Sequence, residues 1–339
     1  MPLRIGFLGA GLIADFHRRS LAKADGGDIE LAAVYDVDPA RAGAFAEASG
    51  ARVASSEDEV IDGADAVYVC TWTSEHRRQV EAVAAAGRAV FCEKPLSVDL
   101  PGAEAMAAAV EAAGVVNQVG LIMRRSPAYN LLVHMMGRPE SGRLIGLSFR
   151  DDQYLPTQGM YRSTWRGDPA LAGAGVLMEH SIHDLDLIDW VGGGIRSVTA
   201  RTAFVHGLDG VEDVAAVGLT LGDGAVGSLV TFWHDILERP STRRCEVFCE
   251  KAMFVVENDW WGPLSWLRDG GGEGTLEGRP LTAALAEVMD VHPNPDGAFV
   301  QAVLQGGPAS PDFRTAVRAH AVVDACYRSA GAGGAAVTL

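Results

Sequence analysis

Leu3-Arg4-Ile5-Gly6-Phe7-Leu8-Gly9-Ala10-Gly11-Leu12-Ile13-Ala14 is the stretch on which the fold turns. A mainly apolar run leads straight into two glycines one residue apart, and a helical pattern follows. A strand feeding a tight glycine turn and then a helix is the opening unit of a dinucleotide-binding fold. Gly9 permits the sharp turn off the strand. Gly11 has no Cβ, so a pyrophosphate can approach the backbone, and Ala14 is small enough for the helix to pack close to the sheet. Leu12 and Ile13 open that helix, whose first N–H groups lack intrahelical acceptors and suit an anion. The next apolar run ends on Asp36, 25 residues after Gly11. A carboxylate there accepts hydrogen bonds from the adenosine ribose and repels a 2′-phosphate, so NAD is expected rather than NADP.

Working outward, strand and helix alternate through the first 120 residues. Strands are predicted at 3–8, 29–36, 52–54, 66–70, 89–92 and 115–121, with helices at 13–24, from Asp38 onward, at 74–86 and at 100–113. The run Ala66-Val67-Tyr68-Val69-Cys70 is wholly apolar, as in a parallel sheet covered on both faces. Such alternation predicts an α/β fold with an N-terminal doubly wound Rossmann domain over 1–122. Beyond it the texture changes. Strands at 144–151, 198–205, 215–221, 226–233, 244–249 and 252–257 predict a large, mostly antiparallel sheet in a second α/β domain over 123–339. Helices are predicted at about 176–191, 281–290 and 313–330, and Asp269–Gly274 reads as a flexible surface loop.

The 339 residues are 48% hydrophobic and 21% charged, as in a globular chain. With 28 basic and 44 acidic residues the formal net charge is −16, which argues against nucleic acid or an anionic membrane as partner. No apolar run is long enough to span a membrane. The first residues already form a strand, so no signal peptide is expected. Cys70, Cys92, Cys245, Cys249 and Cys326 form no CxxC pair and are expected as reduced thiols in the cytoplasm.

Two segments carry candidate chemistry. Lys94 follows the fifth strand at the carboxyl end of a parallel sheet, where open α/β folds bind ligands. A lysine there can polarise a substrate hydroxyl or relay its proton, although an exposed surface lysine is the plain alternative. In Glu179-His180-Ser181-Ile182-His183-Asp184-Leu185-Asp186, helical spacing sets Glu179, His183, Asp186 and Trp190 on one stripe. Flanking carboxylates would favour the charged imidazolium of His183 and orient its ring for proton transfer. His180 and His183 are also spaced like metal ligands. His180 lies off the stripe and no further cluster completes the set, so no metal is expected. Thr71, Trp72, Thr73 and Ser74 follow strand four, within reach of a cofactor ribose or phosphate, and Ser74 is also expected to cap the next helix. His76 in that helix and Glu93 beside Lys94 join the expected cofactor set. Arg124 and Trp165 join Lys94, Glu179, His180 and His183 as expected substrate contacts. Trp165, Trp260, Trp261 and Trp266 suit flat apolar walls for a sugar ring, or a core. His17, His76 and His234 show no partner in the sequence.

Several segments together resemble the glucose-fructose oxidoreductase / inositol dehydrogenase / rhizopine-catabolism (Gfo/Idh/MocA) family. They are Gly9–Ala14, Cys92-Glu93-Lys94-Pro95-Leu96, Gln118-Val119-Gly120 with Arg124-Arg125, and Gly173-Ala174-Gly175 leading to His183. The resemblance implies that Lys94 is a catalytic lysine and that His183 matches the family histidine. Glu179 stands where the family has aspartate, its arm longer by one C–C bond. Trp72-Thr73 replace the proline and asparagine usual after strand four. The resemblance further implies an NAD(P)-dependent dehydrogenase of sugars, cyclitols or related polyols. Its C-terminal domain, with an open sheet, would serve homodimer or homotetramer contacts. Relatives with the same fold include redox-neutral glycosidases, lyases and epimerases that retain NAD, and dinucleotide-sensing regulators. Retention of Lys94 and His183 together argues against a regulator.

Overall fold

The computed structural model describes residues 1–24, 28–258, 260–291 and 294–339. Two compact units emerge: Met1–Leu121 with Asn294–Val317, and Ile122–Pro293 with Arg318–Leu339. The expected single cut after residue 122 is therefore corrected, because a C-terminal segment returns to the first unit.

In the first unit β1 (Leu3–Leu8), α1 (Leu12–Leu21), β2 (Ile29–Tyr35), α2 (Pro39–Ser49), β3 (Arg52–Val53), α3 (Glu57–Gly63), β4 (Ala66–Val69), α4 (Thr73–Ala85), β5 (Ala89–Cys92), α5 (Leu100–Ala113) and β6 (Asn117–Val119) alternate, with α3 an element the sequence reading did not include. The sheet runs β3-β2-β1-β4-β5-β6 with every neighbour parallel. The order reverses between β1 and β4, the place where doubly wound sheets open a crevice at their strand carboxyl ends. All residues of β4 and β5 are buried, which explains their unbroken apolarity. Side chains of Asp38, Ser56 and Asp99 accept backbone N–H groups at the starts of α2, α3 and α5. Ser74 does not cap: α4 begins at Thr73, and Trp72 occupies the cap position with no side-chain bond.

The second unit contains α6 (Pro127–Met136), β7 (Leu144–Tyr154), α7 (Pro169–Ala172), α8 (Ile182–Val191), β8 (Ile195–Ala203), β9 (Val214–Leu221), β10 (Val226–His234), β11 (Thr242–Cys249), β12 (Ala252–Glu257), β13 (Leu264–Arg268), β14 (Glu273–Leu276) and α9 (Gly278–Ala286). Its sheet is ordered β14-β13-β12-β11-β7-β10-β9-β8-β15, the last strand being Val337–Thr338. Only β7 and β10 pair in parallel; the other neighbours are antiparallel. Burial alternates along β11 and β12 between one buried face and one half-buried face. The predicted flexible loop at 269–274 is corrected: Glu273 and Gly274 pair with Leu267 and Trp266, so only the hairpin turn remains irregular. The predicted helix at 281–290 sits earlier, at 278–286. The predicted continuous helix at 176–191 is divided into a π turn at Val176–His180 and α8.

Asn294 then caps α10 (Pro295–Gln305), and α11 (Phe313–Gly331) begins in the first unit and ends in the second. The returning segment is stitched to β6. Gln118 Nε2 donates to the Pro295 carbonyl (3.0 Å), the Val119 N–H to the Pro311 carbonyl (2.9 Å) and the Phe313 N–H to Asn117 Oδ1 (2.9 Å). Phe7, Tyr68 and Phe91, register partners on β1, β4 and β5, stack with centroids 4.9 and 4.8 Å apart. Phe299 of α10 meets Tyr68 and Phe91 edge-on. This face forms the core of the first unit, under α1 and α10.

Candidate active site

Gly9 stands at φ +90°, and a Cβ there would lie 2.6 Å from the Cys70 carbonyl oxygen, so only glycine fits. A Cβ added at Gly11, the cap residue of α1, meets nothing within 4 Å, and no side chain caps the helix. Leu12 is exposed and Ile13 half-buried in the first turn. An open backbone surface at an uncapped helix N-terminus fits a dinucleotide diphosphate. Asp36 Oδ2 accepts the Ala10 N–H (2.7 Å) and Oδ1 the Asp38 N–H (2.8 Å). The acid thus shapes the glycine loop while keeping further lone pairs for a ribose.

The carboxyl ends of β4 and β5 bring the next group together. Trp72 is exposed. Thr71 donates its hydroxyl to Gln79 Oε1 (2.6 Å), and Gln79 Nε2 donates to Glu57 (2.8 Å). His76, expected against the cofactor, is instead buried. Its ring nitrogens lie 3.0 Å from the Pro95 carbonyl and 3.3 Å from the Thr71 carbonyl, so it ties the loops after β4 and β5 together. Burial holds its pKa below the ordinary histidine value. Glu93 is buried too: Oε1 is 2.9 Å from His17 Nε2, and Oε2 accepts the Lys94 backbone N–H at 3.1 Å. Lys94 follows directly and is half-buried.

His17, which the sequence left without a partner, lies at the centre of this group. Its Nδ1 is 2.7 Å from Asp296 Oδ1, and the ring packs on Phe91 and Tyr68. Burial is the largest single influence on it and opposes charge. Asp296 and then Glu93 outweigh that, and the imidazole is pushed up to about 10.

The second unit positions the other candidates. Glu212 is buried and receives the Gly175 and Leu177 N–H groups at 2.9 and 3.0 Å and the Tyr327 hydroxyl at 2.8 Å. The Val176 N–H bonds the Glu212 carbonyl (2.7 Å), and a Cβ on Gly175 would lie 1.8 Å from that oxygen. This clamp starts the π turn, closed by the Ser181 N–H to the Val176 carbonyl at 2.7 Å. A π turn breaks the 100° phase, so the expected continuous stripe of Glu179, His183 and Asp186 is corrected. Each of the two acids has an arginine. Glu179 is 2.7 Å from Arg166 Nε, whose guanidinium stacks on Trp165 and Tyr161. Asp186 takes a bidentate pair from Arg124 at 2.8–3.0 Å, and Arg124 lies over Trp190. Burial raises the Asp186 carboxyl to about 6 despite Arg124. His180 belongs to a buried cluster: Nε2 is 2.8 Å from Asp151 Oδ2, and Arg243 Nε reaches Asp151 (3.0 Å) and Asp184 (2.7 Å). Burial, then the neighbouring Asp151, raise Asp184 to about 7. His183, at the second position of α8, is half-buried, while its chain neighbours Ile182 and Asp184 are fully buried. Trp260 and Trp266 are half-buried and Trp261 exposed. Glu212, Asp151 and Asp296 escaped the sequence reading because the partners of each lie distant along the chain.

Comparison with known proteins follows the same division. Residues 3–121 match the model of the Gfo/Idh/MocA oxidoreductase family, NAD-binding Rossmann fold, and residues 130–255 match the Gfo/Idh/MocA C-terminal domain. The chain is 28% identical over 342 aligned positions to an inositol 2-dehydrogenase of Rhizobium meliloti (strain 1021), covering 97% of each. It is 31% identical to a 1,5-anhydro-D-fructose reductase of Ensifer adhaerens over 68% of each. Among solved structures, the WlbA dehydrogenase of Bordetella pertussis in complex with NADH and UDP-GlcNAcA superposes with a TM-score of 0.83. Identity there is 26%, over 100% of this chain and 98% of that one. The glycine loop, the Glu-Lys-Pro turn and both domain matches agree: the chain belongs to the Gfo/Idh/MocA family and is an NAD-binding oxidoreductase.

Proposed function

We propose that the protein oxidises a secondary hydroxyl of a cyclitol, sugar or related polyol, or reduces the matching ketone, with Lys94 and His183 handling the proton. The observation that carries this reading is Lys94, presented by the Glu-Lys-Pro turn at the carboxyl end of β5. His183, presented by α8 behind the Glu212-clamped turn, supports it. NAD, when bound, supplies the hydride acceptor. The chain's own residues do the rest. The Lys94 ammonium stabilises negative charge growing on the substrate oxygen, and the His183 imidazole accepts the proton. Glu179, fixed by Arg166, orients the site, and Arg124, Trp165 and His180 belong to the substrate-binding side. Relatives named inositol 2-dehydrogenase and anhydrofructose reductase support the polyol class. The test is incubation with NAD and a panel of inositols, anhydro sugars and aldoses, read by the absorbance of reduced nicotinamide. Net reduction is expected, and Lys94→Ala should lower turnover by about 10²-fold or more with NAD affinity nearly unchanged. Normal turnover in that variant, or in His183→Ala, removes the residue from the mechanism. Conversion of a sugar without net reduction would replace a dehydrogenase by a redox-neutral enzyme.

The assembly proposed is a homodimer or homotetramer through the open face of the nine-stranded sheet. Val226, Phe248, Met253 and Leu267 follow one another in register across β10, β11, β12 and β13, with Gly146 of β7 between the first two. Val226, Phe248 and Leu267 are exposed. Among the described residues no helix is long and apolar enough to cross a membrane. All five cysteines are thiols, which accords with the cytoplasm as the proposed compartment.

A further inference from the structure

We propose that His17 is a positioning residue for Lys94: clamped between Asp296 and Glu93, it holds the Glu93 carboxylate where that group accepts the Lys94 backbone N–H. The geometry is specific. Both ring nitrogens face carboxylate oxygens, at 2.7 Å to Asp296 and 2.9 Å to Glu93. A neutral imidazole has one N–H and one lone pair, so it could serve only one of these oxygens. The trio therefore shares two protons between its two contacts, and a doubly protonated ring satisfies both at once. Tyr68 lies against the ring, and burial first, then the charge of Asp296, keep its phenol neutral. Gly120 leaves room for Glu93, since a Cβ there would come within 2.5 Å of Oε1. From α1, His17 holds that oxygen at 2.9 Å. The other oxygen of Glu93 receives the Lys94 N–H at 3.1 Å, so the chain of contacts runs Asp296, His17, Glu93, Lys94. The same helix that offers its N-terminus at Gly11 thus braces the turn that presents the lysine, and α10 braces the helix.

This inference rests on Lys94 being the proton-handling lysine, and its test reads position separately from turnover. In protein labelled with 15N-histidine, one of the nine imidazoles should remain protonated on both nitrogens at about pH 8.5, where an ordinary histidine is neutral, and that signal should vanish in His17→Gln. Absence of such a signal overturns the clamp. In His17→Gln without cofactor, competitive acetylation mapped by mass spectrometry should show Lys94 reactivity changed by about threefold or more. With a polyol substrate, kcat should fall by about 10- to 100-fold while NAD affinity stays within about twofold, the pattern of a misplaced group rather than lost binding. Unchanged Lys94 reactivity and unchanged kcat in folded His17→Gln would leave His17 a core residue and overturn the proposal. Should that variant not fold, Asp296→Asn keeps the side-chain volume and removes one of the two charges. Lys94 reactivity should shift in the same direction, and no shift overturns the proposal. If the wild type oxidises no polyol, the catalytic reading fails while labelling and imidazolium signals still decide the positioning.

Discussion

Asp36 closes the glycine loop through the Ala10 and Asp38 N–H groups, and the same carboxylate is the one we assign, as a proposal, to the adenosine ribose of NAD. Two like charges a few ångströms apart repel by about 1 kcal/mol in water and by more where solvent is thinned. Asp36→Ala should therefore reduce the preference for NAD over NADP by about tenfold or more, measured as the ratio of kcat/KM values. Because the loop loses two hydrogen bonds as well, affinity for NAD itself should also weaken. An unchanged ratio would place the ribose contact on another residue. A charge role for Asp36 could be proposed from its place at the end of a strand. Its loop-closing role could not, since the acceptor geometry depends on how β1 and β2 lie side by side.

At the scale of the element, the π turn before α8 shows why periodicity alone misread this region. An α-helical count assumes 100° per residue, and the stripe of acids around His183 follows from that count. The Glu212 side chain, planted beside the turn from a later loop, captures the Gly175 and Leu177 N–H groups and winds the chain differently. Glu179 and Asp186 then each meet an arginine. Gly175 is the hinge of the arrangement. Gly175→Ala would drive a methyl group into the Glu212 backbone, and it should cost at least about 2 kcal/mol of stability in denaturant unfolding. It should also impair turnover, because Glu179 and His183 follow on the displaced segment. A stability change within about 0.5 kcal/mol would mean that the backbone yields freely there.

At the scale of the molecule, one face of the nine-stranded sheet carries the exposed side chains of Val226, Phe248 and Leu267. Its apolar row crosses adjacent strands in register, so a second copy can cover it continuously. Phe248→Glu together with Leu267→Lys should shift the native mass toward the monomer in light scattering, with the fold retained by circular dichroism. An unshifted mass would place the subunit contact elsewhere. The chain's division into units is also a property of this scale. Asn294–Val317 reads in sequence as part of the second half, yet its helix and the following turn join the first sheet at β6.

Within a dozen residues, glycine geometry, strand apolarity and helix phase state the βα unit, and repetition of that unit states the doubly wound sheet. The Glu-Lys-Pro turn is equally local, so Lys94 could be singled out from the sequence alone. What joins Lys94 to the rest of the first unit could not. His17 meets Glu93 across 76 positions and Asp296 across 279. A buried ion pair between residues so far apart leaves no periodicity and no spacing to read. It exists only because packing α1 and α10 on one face of the sheet removes water from all three groups together, and charges without solvent must find one another.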